Sequence, residues 1–159
     1  MNRPHRIVLA LGSNLGDSSA ILIDAIEAIS EFAAEIRTSS QYRTDPVGGP
    51  TQPDYLNAVL LGVTELAQEE LLQRLQVIEA SHGRNRAERW GARTLDLDLI
   101  DFDSMLWQSE TLILPHPRAH ERAFVLAPWN EVDPDAILIG HGSVRSLLAN
   151  IGSSGVVRA

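Results

Sequence analysis

Apolar residues follow two periods along the chain, and the periods alternate. Residues 7–12, IVLALG, form a short continuous apolar run that predicts a buried strand. The turn SNLGDSSA supplies Asp17 or Ser18 as a helix N-cap. Ile21, Ala25, Ile29 and Phe32, flanked by Leu22, Ile26 and Ala33, then keep helical spacing to about residue 35. IRTSSQYRT (36–44) has the β-branched and aromatic content of a strand, and DPVGGPTQPD (45–54) is dense in Pro and Gly, hence a loop. YLNAVLLGVTE (55–65) is again a strand. Glu69 and Glu70 suit the positive end of a second helix, whose stripe is Leu71, Leu72, Leu75 and Ile78, with Gln76 and Glu79 beside it. An arginine-rich loop (83–93) and a last strand (94–100) follow. The order β-α-β-β-α-β predicts an α+β fold: a ferredoxin-like sandwich, an antiparallel sheet with two helices on one face. Residues 104–159 are expected to add a short strand, a turn or short helix around 117–123, and a final strand plus helix. The tail GSSGVVRA is expected to be loosely held. All this reads as one domain over residues 1–159.

The final strand of that core is unusual. In RTLDLDLIDFD (93–103), Leu95, Leu97 and Leu99 fall on one face and Thr94, Asp96 and Asp98 on the other. Two carboxylates then share a face with Cα atoms roughly 6.5 to 7 Å apart. Such a pair repels unless water or cations separate the charges. One reading is a wet strand face; the other is a site for hard divalent cations, which take oxygen ligands from one or two carboxylates plus substrate phosphates. Asp101 and Asp103 continue on the leucine parity and are expected at the strand end, turned away from that pair.

Composition narrows the chemistry. At 159 residues, with 44% hydrophobic and 21% charged residues, the chain suits a single soluble domain. No apolar run approaches a membrane span, and the N-terminus lacks a signal-peptide plan, so a cytoplasmic protein with no membrane partner is expected. There is no cysteine, which removes disulfides, thiolate nucleophiles and cysteine zinc sites. All 13 basic residues are arginine, so the P-loop lysine and Schiff-base chemistry are absent as well. A net charge of −8 argues against nucleic acid as a partner. Yet Arg84, Arg86, Arg89 and Arg93 cluster in GRNRAERWGAR, with Glu88 among them. Arginine forks bind phosphate oxygens bidentately, which points to a small anionic ligand. Trp90 in that loop wants a cover, either a ligand or a closing lid. His116 and His120 in HPRAHE are four apart, but the order is not that of a zinc helix. A phosphate contact by His116 and Arg122 is the better reading if the segment faces the arginine loop. GSNLGD (12–17) is a weak phosphate-turn signal and a better strand-to-helix turn.

Four stretches together, LGSNLGD (11–17), YRTDPVGGPTQPDYLNAV (42–59), ERWGARTLDLDLI (88–100) and LPHPRAHERAFVLAP (114–128), resemble the 6-hydroxymethyl-7,8-dihydropterin pyrophosphokinase family of folate synthesis. The resemblance implies transfer of the β,γ-pyrophosphoryl group of ATP to the pterin hydroxymethyl oxygen, releasing AMP. It implies two Mg²⁺ held by Asp96 and Asp98, and a catalytic set of Arg84, Arg93, Asp96 and Asp98. The ATP contacts implied are Gln76, Glu79, Arg84, Arg86, Arg89, Arg93, Leu99, His116 and Arg122. For the pterin they are backbone of Thr44, Pro46 and Val47, the rings of Tyr55 and Phe124, the amide of Asn57, and Trp90 as a lid. No general base stands out, so metal polarisation of the hydroxyl is expected to do most of the work. A monomer acting on small molecules is expected. Rival readings are a non-catalytic nucleotide-binding ferredoxin-like module and a Mg-dependent phosphotransferase with another acceptor.

Overall fold

The structure, a computed structural model, describes residues 3–44, 54–82 and 94–159. The first part of the chain gives β1 (His5–Ser13), α1 (Ser18–Ile29), β2 (Ala34–Thr38), β3 (Tyr42–Thr44), β4 (Tyr55–Thr64), α2 (Gln68–Ser81) and β5 (Asp96–Phe102). The remainder gives β6 (Trp107–Gln108), β7 (Ile113–Leu114), a 3₁₀ turn (Ala119–Glu121), α3 (Ala123–Val132), β8 (Ile137–Leu138), β9 (Gly142–Ser143), α4 (Val144–Ile151) and β10 (Val156–Arg158). Among the described residues no helix is long and apolar enough to cross a membrane.

Every strand pairing is antiparallel, and the main sheet runs β10-β3-β4-β1-β5, with β2 also on β4. This is the expected α+β sandwich, with one addition. Odd-numbered residues of β1 (Ile7, Leu9, Leu11) and of β5 (Leu97, Leu99), with Leu95 just before β5, pack with Leu22, Ala25 and Ile29 of α1 and Leu71, Leu75 and Ile78 of α2. The opposite face is covered too: Val8, Val59, Leu61 and Ile100 pack with Val125, Leu126 and Trp129 of α3 and Val144 of α4. The sheet is therefore buried between two helical layers, and strands buried on both faces read as apolar runs.

Asp17 is the N-cap of α1, accepting from the Ala20 N–H at 3.2 Å. The helix ends at Ile29 rather than near residue 35, and Ala34 already belongs to β2. The strand expected over 36–44 is broken in two. Ser39 donates its N–H to Val59 O and takes the Val59 N–H on its hydroxyl, both at 2.9 Å, so a side chain replaces a rung of the ladder there. α3 lies just past the short helix expected around 117–123; Pro128 within AFVLAPW masks it in the sequence. The tail is not loose. β10 pairs with β3, and the Ala159 N–H reaches Gln41 O at 2.9 Å.

β5 carries a bulge. Leu9 faces Leu99, but Val8 faces Asp101, so Ile100 is the extra residue. The bulge resets the parity, and Phe102 joins the core of Leu95, Leu97 and Leu99. Asp101 and Asp103 stand at the strand end as expected, but the bulge puts Asp101 opposite Val8, on the face of Asp96 and Asp98 rather than turned away from it. Asp101 accepts from the Ser104 N–H at 3.1 Å, and Asp103 takes His5 Nδ1 at 2.6 Å and the Arg6 N–H at 2.8 Å. Burial pushes the Asp101 carboxyl above the usual carboxylate range.

Candidate active site

Register puts the polar residues of three strands on one face, with Gly12 of β1 among them. Asp96 lies opposite Gly12, Gly12 opposite Asn57, and Asn57 opposite Tyr42. Thr44 lies opposite Tyr55 one pleat further on. Paired residues share a face, so Asp96, Asp98, Asn57, Tyr55, Tyr42 and Thr44 all project toward the layer that holds α3. At about 4.8 Å per strand, Asp96 and Asn57 stand roughly 10 Å apart across the sheet. Gly12 fills the floor between them, and there the lack of a side chain matters. A Cβ on Gly12 would lie 3.0 Å from Asn57 Oδ1 and 3.6 Å from Tyr55 Cδ1. Glycine inside a strand marks such a close approach. It is the one signal by which this residue, absent from the sequence-derived set, was findable.

Asn57 is buried, and its Nδ2 donates to Thr44 Oγ1 at 2.6 Å. This fixes which end of the amide turns outward. Opposite, Arg122 stands at the N-terminus of α3, its Nη1 3.8 Å from Asp98 Oδ2 and its guanidinium 5.5 Å from the centre of the Phe124 ring. One cation thus links the acidic strand to an aromatic side chain across the layer. His116 is tied to β5 through its N–H, 2.9 Å from Ile100 O. Burial and the nearby Arg122 lower its pKa to about 4, against an opposing pull from Asp96. It is therefore neutral at pH 7. Its Nδ1 accepts the Arg118 N–H at 3.2 Å, which leaves the proton on Nε2 as a donor for an anion. The sign of its effect on stability follows. The unfolded chain binds the proton near pH 6.5 and the folded one only near pH 4, so unfolding stability is full above 6.5 and declines as pH falls toward 4. In His116→Asn, which keeps an acceptor for Arg118, denaturant titrations across that range are expected to lose this part of the decline.

Two further predicted residues lie under the sheet rather than on this face. Glu79 is 2% exposed, and its Oε2 accepts the Leu97 N–H at 2.8 Å. Leu97 sits between the two aspartates on an edge strand, where alternate N–H groups have no neighbouring strand. Glu79 thereby holds the aspartate strand in place. Leu99 is buried in the α1–α2 core, whereas Gln76 is exposed on α2. Arg84, Arg86, Arg89, Trp90, Arg93, Pro46 and Val47 lie outside the described residues. The alternative histidine pair does not form. The His120 ring stacks on His141 at 4.0 Å, and among the described residues no group of three His, Cys, Asp or Glu side chains could hold a metal. Nor is GSNLGD open as a phosphate cradle: Ser13 Oγ bonds Ser18 Oγ at 3.0 Å, and Ser13 and Asn14 are buried.

The arrangement pairs oxygen donors suited to a hard cation with an arginine and a neutral imidazole suited to phosphate oxygens. Beside them stands an amide flanked by aromatic rings, suited to a flat heterocycle.

Residues 8–134 match the profile of the 7,8-dihydro-6-hydroxymethylpterin-pyrophosphokinase (HPPK) family. The chain is 41% identical over 155 residues to the 2-amino-4-hydroxy-6-hydroxymethyldihydropteridine pyrophosphokinase of Methylorubrum extorquens, covering 96% of this chain and 98% of that one. It is 46% identical over 126 residues to the Bacillus subtilis protein of the same name, covering 78% and 75%. Among solved structures, a Plasmodium falciparum HPPK-DHPS triple mutant aligns with a TM-score of 0.74 at 14% identity. That likeness, which speaks to fold, covers 94% of this chain and 44% of the longer one.

Proposed function

The chain belongs to the 7,8-dihydro-6-hydroxymethylpterin-pyrophosphokinase family, and we infer that it transfers the pyrophosphoryl group of ATP to the hydroxymethyl group of 6-hydroxymethyl-7,8-dihydropterin, in folate biosynthesis. The hydroxymethyl oxygen attacks the β-phosphorus and loses its proton to water, the bond from that phosphorus to the α–β bridging oxygen breaks, and AMP leaves with that oxygen. The observation that best supports the division of labour is the row Asp96–Gly12–Asn57 across three strands. It sets an acidic end and a heterocycle-reading end about two strand spacings apart on one face.

At the acidic end Asp96 and Asp98 would hold two Mg²⁺. The fit rests on their shared face and on all-oxygen donors, and such ions would supply charge neutralisation and polarisation of the hydroxyl. Arg122 and the Nε2–H of His116 bind triphosphate oxygens, joined by Arg84, Arg86, Arg89 and Arg93 of the loop. Arg84 and Arg93 act with the aspartates in catalysis, where positioning and neutralisation of spread charge do most of the work. Gln76, Glu79 and Leu99 serve the nucleotide side. At the other end Tyr55 and Phe124 stack on the pterin, Asn57 reads its amide edge with backbone of Thr44, Pro46 and Val47, and Trp90 closes over it. We read β1-α1-β2-β4-α2-β5 as the ferredoxin-like core, with the C-terminal layer added, acting as a cytoplasmic monomer.

The test is release of AMP from ATP that depends on hydroxymethyl-dihydropterin. Release that is indifferent to the pterin would transfer the reading to another acceptor. Calorimetry adds a check on site assembly: the pterin is expected to bind tightly only with Mg²⁺ and a nonhydrolysable ATP analogue present. Gly12→Ala gives a third expectation. The new Cβ, 3.0 Å from Asn57 Oδ1, displaces the amide. The KM for pterin should rise on the order of tenfold, about 1.4 kcal/mol, with the KM for ATP within twofold, measured by steady-state kinetics.

A further inference from the structure

The carboxylate of Glu131 stands in the last turn of α3, away from the acidic pair, and it gathers donors from three separate pieces of chain. Tyr42 of β3 donates its hydroxyl to Oε1 at 2.6 Å. Ser40, in the break between β2 and β3, donates its N–H to Oε2 at 2.9 Å and its hydroxyl to the same oxygen at 3.2 Å. Arg158 of β10 brings Nη2 to 3.3 Å from Oε1, and its guanidinium lies 5.9 Å from the centre of the Tyr42 ring. Hydrogen bonds to a charged acceptor are the strong and directional ones.

What this junction joins is two walls. One is β3 with β4, which carry Thr44, Tyr55 and Asn57. The other is α3, which carries Phe124 seven residues before Glu131, about 10 Å along the helix at about 1.5 Å per residue. Apolar packing through Val125, Leu126 and Trp129 already presses α3 onto the sheet. Such packing is non-directional and sets no unique slide or rotation of the helix. A carboxylate bound by directed donors does set one. β3 is only three residues long and is held by backbone pairing with β4 and β10; Glu131 adds a directed side-chain tie from it to α3.

We propose that Glu131 is a positioning residue for the pterin: by clamping α3 to Tyr42 and Ser40 it sets the spacing between the Phe124 wall and the Tyr55–Asn57 wall. This rests on the pterin-binding roles given above to those three residues. The clamp's contacts lie on β3, the bend before it and β10, while Arg122 at the opposite end of α3 has its own tie to Asp98, 3.8 Å away, so the nucleotide end is expected to shift less.

The experiment compares KM for each substrate in Tyr42→Phe, Glu131→Gln, Arg158→Ala and Phe124→Ala, with thermal unfolding of each. Tyr42→Phe removes one hydroxyl and keeps the ring, so it guards against a Glu131 variant that folds poorly. Tyr42→Phe and Glu131→Gln should each raise the KM for pterin about fivefold, with kcat and the KM for ATP within twofold. Arg158→Ala, which loosens the tail and leaves the α3–β3 contact, should move neither KM beyond twofold. If Phe124→Ala raises the pterin KM while Tyr42→Phe and Glu131→Gln do not, the clamp is refuted and the pterin slot stands. If Phe124→Ala leaves the pterin KM unchanged, the slot itself is misassigned and the clamp falls with it. A rise in both KM values that tracks lost thermal stability would make Glu131 a purely structural residue.

Discussion

Replacing Asp98 with alanine is expected to lower kcat by about a thousandfold or more while leaving the unfolding free energy within about 1 kcal/mol of the parent, the size of an exposed ion pair. The two halves of this expectation have separate causes. Asp98 is 31% exposed in its side chain, and Arg122, 3.8 Å away, is 23% exposed, so the partner left behind can be hydrated. Losing one carboxylate also relieves its repulsion with Asp96, which shares its face. Stability therefore changes little. Turnover is expected to have no such compensation: on the role proposed for the pair, a single remaining carboxylate would not anchor the cations, whose contribution would be several kcal/mol. Single-turnover kinetics with saturating Mg²⁺, beside urea titrations, separate the two. If Asp98→Ala unfolds the protein, the aspartate is structural and its assigned role is wrong.

Glu79→Ala should fail in the opposite way, by losing stability first. The carboxylate is buried and accepts the Leu97 N–H between the two aspartates. Its removal strands that donor and opens a small void, together about 2 to 3 kcal/mol. With Leu97 unanchored, Asp96 and Asp98 lose their fixed spacing, and kcat is expected to drop on the order of a hundredfold. Glu79→Gln keeps an acceptor for Leu97 and should recover most of the stability. The family resemblance places Glu79 against the nucleotide, and the two roles separate cleanly. A purely nucleotide-contacting Glu79 would show weaker ATP binding in calorimetry with an unchanged urea midpoint.

Much of the site was visible before any coordinates. The alternation of Leu95, Asp96, Leu97, Asp98 and Leu99 determines which side chains share a face, because a strand offers only two. The cap at Asp17 and the stripe of α2 were equally local, and both formed; the expected β-α-β-β-α-β order appears with one strand more, β2 and β3 standing where one strand was expected. Where a partner distant in sequence intervenes, the reading slipped. The strand over 36–44 broke because Ser39 trades hydrogen bonds with Val59, twenty residues on. The tail held because β3 offered it an open edge. The parity beyond Leu99 flipped because β1 and β5 differ by one residue in register at Val8.

Local pattern was enough for the chemical inventory: paired carboxylates, arginine as the sole strong cation, an amide and two rings, and the strand faces that carry the carboxylates and the amide. Three placements needed the folded chain: Gly12 between the acidic and amide ends, Glu79 accepting the Leu97 N–H, and α3 packed over the second face with Glu131 bonded to Tyr42. The reason is physical. Periodicity is written within a few residues, whereas sheet register and helix docking depend on contacts between segments 18 to 89 residues apart, whose hydrogen bonds and packing no local pattern encodes.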